Sequence, residues 1–389
     1  MLDKKQLFQE IDELYPEVVR IRRELHETPE LSGQEEHTRQ YLCSLLDREQ
    51  IAYRVLPSGG VVAVIGSADT SLGIRADMDA LPVEELTGLP YASKTPGCMH
   101  ACGHDVHMAA TFGAAMYFKR HEKELPQAVT LLFQPNEEGT GGADDMVKEG
   151  ALQNPTVTKV IGFHVDPIKP TGQVTLRAGA INAALYDFKI TISGKSCHGA
   201  MPHQGIDATV AGSYIVTTLQ TAVSRSFAAT TPVVVTIGSF HSGSAPNVVS
   251  GEAILTGTMR AMNQEDLDRL RDRVETITKD VAAAHGVTVE FEYMVYFPAL
   301  INDEAITNQI EALTKEYFGD DMAVRMPSPS MGGDDFAFFS KEVPGCYFNV
   351  GTRSADQGDE QRLHGSKFAP DEESMKTAMA LLCLGAFSL

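Results

Sequence analysis

Ala-Val-Thr-Leu-Leu-Phe-Gln at residues 128–134 and Lys-Val-Ile-Gly-Phe-His at residues 159–164 are two apolar runs that flank a predicted helix near 142–150. Short apolar runs that alternate with helices are typical of strands in a sheet covered on both faces. Further strands of this kind are predicted at about 51–56, 61–66, 72–76 and 345–350. The chain is therefore predicted to contain an open α/β sheet with helices on both faces.

Helices are predicted where apolar residues recur at helical spacing. The clearest covers about 4 to 27, where Pro29 follows as a stop signal. An Ala/Met-rich stretch after the segment 97–107, reaching to about 121, is predicted to be a buried helix. Other helices are predicted at about 34–49, at 303–318 and from about 371.

The pattern changes near residue 183. An alternating strand at 184–194 is followed by a helix, two strands, a second helix and a fourth strand, at about 206–225, 232–239, 251–260, 263–285 and 287–294. This β-α-β-β-α-β order is that of a ferredoxin-like sandwich with four antiparallel strands. We therefore predict an inserted α+β domain at 183–295 within a discontinuous catalytic domain, 1–182 and 296–389.

The bulk composition narrows the class of partner and the compartment. A length of 389 residues agrees with two domains, and a net charge of −20 argues against nucleic acid or an anionic membrane as a partner. No apolar run approaches the ~18–20 residues that span a bilayer, and the charged start predicts no signal peptide. Six scattered cysteines fit reduced thiols, so a cytoplasmic protein is expected.

The segment Gly-Cys-Met-His-Ala-Cys-Gly-His-Asp-Val-His (97–107) concentrates two cysteines, three histidines and an aspartate. Thiolate, imidazole and carboxylate together favour a borderline-soft metal such as zinc. Residues two apart cannot share a helix face, so Cys102 and His104 are expected in the loop that enters the next helix. Gly103 would give this turn the backbone freedom that it needs. A redox role for this loop is the alternative.

Acidic and imidazole side chains also follow other predicted strands. Glu137 and Glu138 come just after an apolar strand, where one carboxylate can bind a metal and its neighbour can take a proton from water. His164 closes its predicted strand, and Asp77 and Asp79 end another, as ligands or as groups that orient a ligand. Taken separately, each could be an acidic turn or a structural histidine. Together they predict a metal site at the carboxyl edge of the sheet.

A series of motifs recurs in order along essentially the whole chain. The motifs are Arg-Glu-Leu-His-Glu-Thr-Pro-Glu (23–30), Arg-Ala-Asp-Met-Asp-Ala-Leu-Pro (75–82), His-Ala-Cys-Gly-His-Asp (100–105), Gln-Pro-Asn-Glu-Glu-Gly (134–139), Gly-Lys-Ser-Cys-His-Gly-Ala-Met-Pro-His (194–203), Ala-Pro-Asn-Val (245–248), Gly-Thr-Met-Arg (257–260) and Leu-His-Gly (363–365). In this order they resemble the family of aminoacylases and dinuclear zinc carboxypeptidases, in its branch of hippurate hydrolases and indole-3-acetyl-amino-acid hydrolases.

The resemblance implies the phosphorylase/hydrolase-like sheet of the zinc exopeptidases, with an inserted ferredoxin-like lid and dimerisation domain. It also implies two divalent metal ions per subunit, with zinc expected and manganese, cobalt or nickel as alternatives. The implied ligands are Cys102, which lies between the two metals, and His104, Glu138, His164 and His364.

The resemblance further assigns roles around the metals. Glu137 matches the general base that activates a metal-bridging water, and His198 matches a histidine that reaches across a dimer to stabilise the oxyanion. Asn247 and Arg260 match positions that hold the substrate's carbonyl and carboxylate, and Asp79 matches the carboxylate behind a ligating group. A surface position for His198 and an ion pair for Arg260 are the simpler alternatives.

The implied reaction cleaves the amide bond of an N-acetyl or aromatic N-acyl amino acid, in a homodimer or tetramer formed through the inserted domain. A dipeptidase or carboxypeptidase, an N-acetyl-diaminopimelate deacetylase and a non-catalytic metal-dependent binding protein are the alternatives. Two segments depart from the family pattern. Gly-Gly-Asp-Asp-Phe (332–336) replaces the common Gly-Ser-Glu-Asp-Phe, and His241 and Ser242 occupy a turn that is often glycine-rich.

Overall fold

Two amphipathic helices form the N-terminal part of the computed structural model, which describes residues 3–356, 358 and 361–389. Helix α1 (Lys4–Glu27) is capped by Asp3, whose carboxylate accepts a hydrogen bond from the amide of Gln6. It buries an apolar face, as its periodicity predicts. Helix α2 is Glu36–Arg48.

The next elements build most of the large sheet. In chain order they are β1 (Ala52–Val55), β2 (Val61–Ile65), β3 (Thr70–Asp77), α3 (His104–Arg120), β4 (Ala128–Gln134), α4 (Ala143–Lys148), β5 (Thr156–Pro170), β6 (Val174–Leu176) and β7 (Gly179–Asn182). Helix α3 is buried on all faces from His104 to Phe118, because this stretch carries apolar and small residues in place of a charged face.

The following segment forms a second, smaller sheet with two helices. Its elements are β8 (Ala184–Ser193), β9 (Cys197–His198), α5 (Ala208–Ser224), β10 (Val233–Ser242), β11 (Val248–Val249), β12 (Glu252–Ala261), α6 (Gln264–His285) and β13 (Thr288–Phe297). The four long strands lie in the order β10-β12-β8-β13, and every neighbouring pair is antiparallel. Both helices share one apolar core with this sheet, which confirms the predicted ferredoxin-like arrangement.

Strand β14 (Leu300–Asn302) pairs with β7 in a separate two-stranded sheet. The remaining C-terminal elements complete the large sheet and its cover. They are α7 (Glu304–Phe318), β15 (Ala323–Arg325), α8 (Phe336–Glu342), β16 (Gly345–Arg353) and α9 (Ser374–Ser388). Among the helices described, none has the length and apolar character that crossing a membrane requires.

The large sheet has the strand order β1-β2-β4-β3-β5-β16-β6-β15. Its central strands β4, β3, β5 and β16 are parallel, so their carboxyl ends lie at one edge. Successive residues of a strand point to opposite faces. Ile161 on β5 packs against α9, and the neighbouring Gly162 lies against Phe336 of α8. Helices therefore cover both faces of this α/β sheet, as predicted.

The chain divides into two compact units. The first runs to Ile181 and resumes with Ile301–Ser328 and Asp335–Leu389, and the second comprises Asn182–Leu300 and Pro329–Asp334. The second unit thus contains the inserted sheet together with a short segment from beyond it. The assignment of catalysis to the first unit and of a lid to the second stays a prediction.

Candidate metal centre

Three parallel strands bring polar side chains to one edge of the large sheet. β3 ends at Asp77 and pairs there with Gln134, the last residue of β4. The expectation that His164 closes its strand is wrong, because β5 continues to Pro170 and His164 pairs with Asn349 of β16. His164 still reaches this edge, since β5 extends past the end of β3.

Cys102 and His104 lie where the loop enters α3, as predicted from their spacing. The helix begins at His104, and Gly103 before it has a φ of +87°. A side chain at Gly103 would be strained in that conformation, and its Cβ would lie 2.5 Å from Cγ2 of Val165. The turn places Sγ of Cys102 3.4 Å from Nε2 of His164.

The five residues expected to bind metal form two overlapping groups. The ligand atoms of Cys102, His104 and His164 lie within 4.8 Å of one another, and so do those of Cys102, Glu138 and His364. Nε2 of His364 is 3.0 Å from Oε1 of Glu138. Because Cys102 belongs to both groups, its sulfur is placed to be shared by two cations.

His364 is held in a backbone conformation that is unusual for its residue type. Its φ is +62°, and its amide donates a 2.8 Å hydrogen bond to the carbonyl of Ala101. A positive φ outside glycine persists where the surrounding structure enforces it, and such positions are frequent at functional sites. The contact ties the loop of His364 to the loop of Cys102.

Hydrogen bonds on the far side of each ring set the orientation of two histidines. Nδ1 of His104 donates to the carbonyl of Asp79 at 2.9 Å, and Nδ1 of His164 donates to the carbonyl of Val165 at 2.8 Å. Both rings therefore present an unprotonated Nε2 to the site when neutral, which is the form that binds metal. Nε2 of His104 is buried and makes no hydrogen bond within the described residues.

Asp79 contacts two of the segments that carry expected ligands, and its role behind a ligating group stays a prediction. Its Oδ2 accepts hydrogen bonds from the hydroxyl of Ser32 at 2.6 Å and from the amide of Glu138 at 2.9 Å. Asp79 thus contacts the backbone of Glu138 and the ring of His104, which are two of the expected ligands. Ser32 was not predicted, since a serine in a polar loop carries no sequence signal.

His107 lies in the same segment as Cys102 and His104, but both of its ring nitrogens form hydrogen bonds within the protein. Its Nε2 accepts a hydrogen bond from the amide of Val165 at 3.1 Å, so its proton is on Nδ1, which donates to Asp77 at 2.6 Å. Both ring nitrogens are used, and burial lowers the pKa of His107 to about 4. His107 therefore has no nitrogen left for a metal.

The electrostatics of the site favour a cation. Burial raises the pKa of the Cys102 thiol well above its usual value, and the carboxylates of Glu138 and Glu137 raise it further. Burial alone would lower the pKa of His104, but Asp77 and Asp79 outweigh that effect and raise it to about 10. Divalent cations displace such protons when they bind, so the donor set fits metal binding coupled to proton release.

Two of the predicted residues of the second unit lie together. Nδ1 of His198 accepts a hydrogen bond from the amide of Ala200 at 3.0 Å, so Nε2 carries the proton and the exposed ring is a donor. The amide of Gly199 donates to the carbonyl of Asn247 at 2.7 Å, where β9 pairs with β11. A Cβ on Gly199 would lie 2.9 Å from that peptide, which explains the glycine.

Arg260 lies apart from this pair, near the other end of β12. Its Nη1 donates to the carbonyl of Met331 at 2.8 Å and its Nε to the hydroxyl of Thr258 at 3.3 Å. Both acceptors are neutral, so these contacts orient the guanidinium without compensating its charge.

An α/β sheet with helices on both faces, and a cluster of thiol, imidazole and carboxylate groups at its carboxyl edge, define the class of metal-dependent hydrolases. The chain belongs to the peptidase family M20/M25/M40, which matches residues 73–385. This family membership confirms the resemblance found in the sequence motifs.

Similar proteins carry related activities in their names. An N-acetyldiaminopimelate deacetylase of Exiguobacterium sibiricum is 37% identical over 373 residues, covering 94% of this chain and 97% of that protein. An IAA-amino acid hydrolase of Arabidopsis thaliana is 35% identical over 370 residues, covering 94% of this chain and 83% of that protein. A solved dinuclear metal binding peptidase of the M20 family from Bacillus subtilis has a TM-score of 0.80 and 32% identity, with 97% and 98% coverage. The chain is a metal-dependent amidohydrolase of this family.

Proposed function

We propose that this enzyme hydrolyses the amide bond of N-acyl amino acids and releases a carboxylic acid and a free amino acid. The observation that carries the proposal is the pair of overlapping ligand groups that share Cys102, with Glu137 beside them. The names of the similar proteins, a deacetylase and an amino acid hydrolase, support an amide next to a carboxylate as the target.

The proposed ligands are Cys102, His104, Glu138, His164 and His364. Mixed thiolate, imidazole and carboxylate ligation suits zinc first, with manganese, cobalt or nickel as alternatives. When bound, two such cations lower the pKa of a water molecule and polarise the amide carbonyl.

Glu137 is the proposed general base. Its Oε2 lies 4.0 Å from Nε2 of His104, and its side chain is mostly buried at the margin of the ligand cluster. It belongs to neither of the groups that contain Cys102, and it lies with His104 and Glu138 in a third group. Glu137 would take the proton of the attacking water and return it to the leaving amine.

His198 and Arg260 are proposed to bind opposite ends of one substrate. His198 presents an Nε2–H donor for the developing oxyanion, and Arg260 presents a guanidinium for the carboxylate. Asn247, beside His198, would contact the carbonyl. The simpler ion-pair role for Arg260 is not supported by its neutral acceptors, Met331 and Thr258.

Two chains are proposed to share each active site. The hydroxyl of Ser196, two residues before His198, accepts a hydrogen bond from the amide of Gly251. The segment that carries His198 therefore lies beside the start of β12. Glu252 and Arg260 are eight residues apart on that strand, which corresponds to a distance of about 26 Å at about 3.3 Å per residue. An N-acyl amino acid is far shorter, so we propose that one substrate meets the metal ligands and Arg260 of one chain and His198 of a second chain.

The second unit offers a surface for this dimer. Helix α5 contains no charged residue, and Val210 and Tyr214 on it are exposed. Phe240 on β10 is also exposed and lies against Gly212 of α5, and β10 is an edge strand of its sheet. Apolar surface next to an open edge strand is suited to pairing with another chain. A dimer through this face, or a tetramer built from such dimers, is therefore proposed.

The substrate class is tested by incubating metal-loaded enzyme with N-acetyl and N-benzoyl amino acids, N-acetyl-diaminopimelate and dipeptides, with the released amine quantified by chromatography. We expect the N-acyl amino acids to be hydrolysed fastest. The methyl ester of the best substrate is the matched control, and it should react at least 10-fold more slowly because Arg260 loses its carboxylate partner. Preferential cleavage of dipeptides would favour a peptidase, and no turnover of any compound would contradict the proposal.

A further inference from the structure

A chain of buried polar side chains runs behind the candidate metal centre, from Asp335 through Arg75 and Asp77 to His107. We propose that this chain locks the Glu137–Glu138 loop and the strand segment of His164 into one arrangement, so that its two end residues, Asp335 and His107, jointly set the metal affinity. The inference rests on the proposed metal site, and its two end residues, Asp335 and His107, had no individual role assigned from the sequence.

Arg75 is the centre of the chain. It lies on β3, is 1% exposed, and uses all three guanidinium nitrogens. Nη1 donates to Asp77 at 2.5 Å, Nη2 to Asp335 at 2.9 Å, and Nε to the side-chain carbonyl of Gln134 at 2.7 Å. The planar guanidinium therefore holds two carboxylates at a fixed angle to each other.

Asp335 closes the loop that carries Glu137 and Glu138. The side-chain amide of Gln134, at the start of the loop, donates to Oδ2 of Asp335 at 2.7 Å. The backbone amides of Gly142 and Ala143, at the end of the loop, donate to the same oxygen at 2.9 and 3.0 Å. One buried carboxylate thus fixes both ends of the loop.

His107 connects the other end of the chain to His164. Asp77 accepts from Nδ1 of His107, and Nε2 of His107 accepts from the amide of Val165. The carbonyl of Val165 in turn accepts from Nδ1 of His164, whose Nε2 lies 3.4 Å from Sγ of Cys102. The backbone position of Val165 therefore determines where the ring of His164 points.

The chain admits one pattern of donors and acceptors. Asp77 accepts from both Arg75 and His107, so it must be ionised, and His107 must carry its proton on Nδ1. Asp335, Arg75, Asp77 and His107 are each no more than 1% exposed, so bulk water cannot replace a lost partner. Buried networks of this kind act as a unit, and partners behind metal ligands typically change metal affinity 10–100-fold.

The test measures metal affinity and spectra in Asp335→Asn, His107→Gln and the double variant. Each protein is loaded with Co²⁺, the thiolate and ligand-field absorption is recorded, and the dissociation constant is obtained by competition with a chelator. We expect each single variant to bind Co²⁺ about 10–100-fold more weakly. We expect the Co²⁺ affinity of the double variant to fall by clearly less than the product of the two factors, because both substitutions disrupt the same chain of hydrogen-bonded side chains.

Asp303→Ala is the matched control, because alanine removes the capping oxygen whereas asparagine would keep it. Asp303 caps α7 in the same unit by accepting from the amide of Ile306 at 2.9 Å, so its loss should lower the melting temperature without changing Co²⁺ affinity. If Asp335→Asn does not fold, Gln134→Met, which removes one contact of the same carboxylate, takes its place. Unchanged Co²⁺ affinity in folded variants, or factors that multiply independently, would overturn the inference. A wild-type chain that bound no metal pair would contradict the proposed function instead.

Discussion

Glu137→Gln is expected to lower kcat for N-acyl amino acid hydrolysis by roughly 10²–10⁴-fold while the enzyme keeps two metal ions per chain. Glutamine preserves the shape of the side chain and its hydrogen-bonding oxygen, but it cannot take a proton from water. Because Glu137 lies outside both groups that contain Cys102, its substitution should leave the metal ligands in place. Turnover and metal content are measured on the same preparation.

Glu138→Gln is the matched variant for this prediction. It is the adjacent residue with the same chemistry, but its carboxylate lies with Cys102 and His364 in one ligand group. Substitution there should weaken metal binding, and added metal should restore part of the activity. Wild-type turnover in Glu137→Gln would show that another group is the base. Equal metal loss in both variants would show that Glu137 is itself a ligand.

His198→Ala is expected to lower kcat by about 10²–10³-fold, the usual effect of removing one donor to an oxyanion. KM should change less, because the donor acts mainly on charge that develops in the transition state. The exposed position of His198 predicts an unchanged melting temperature.

Mixing variants tests whether His198 acts on the second chain. In a dimer of His198→Ala with Glu137→Gln, one active site would regain both an intact base and an intact histidine. An equimolar mixture after subunit exchange should therefore recover about a quarter of wild-type activity, since half of the dimers are mixed and each has one restored site. Arg260→Ala mixed with Glu137→Gln is the control, because Arg260 is proposed to serve its own chain and should show no recovery. Failure of both mixtures to recover activity would contradict the shared site.

Much of the first unit could be predicted from local sequence. The periodicity of α1, the apolar runs of β4 and β5, and the spacing of Cys102 and His104 around Gly103 are local signals, and the structure agrees with them. The ferredoxin-like order of the four long strands and two helices of the second unit could also be predicted, because these elements are long enough to show the periodicity of their apolar residues.

Other features depend on contacts between distant segments. Strands β6 and β15 have three residues each, too few to show an alternation, and they form only because neighbouring strands pair with them. Helix α8 is a seven-residue helix whose four apolar residues pack into the first unit, and its periodicity is too short to recognise. The extension of β5 past His164 follows from its partner β16 rather than from its own residues.

The buried polar chain at the site also depends on contacts between segments that are distant in the sequence. A charged residue in the apolar strand Leu-Gly-Ile-Arg-Ala was a signal that Arg75 must be paired, since a buried charge without a partner is costly. Its partner Asp335 is 260 positions away, so the pairing could be found only from the fold. The sequence likewise placed His198 and Arg260 in one domain but could not show that they lie near opposite ends of β12.

The two-metal active site is tested most directly by a metal titration of activity. Metal-free enzyme is titrated with Zn²⁺, and in parallel with Mn²⁺, while hydrolysis of an N-acyl amino acid is followed. We expect no turnover without metal and a rise that saturates at two equivalents per chain, because two ligand groups share Cys102. Full activity in the metal-free chain, or saturation at one equivalent, would contradict a two-metal active site.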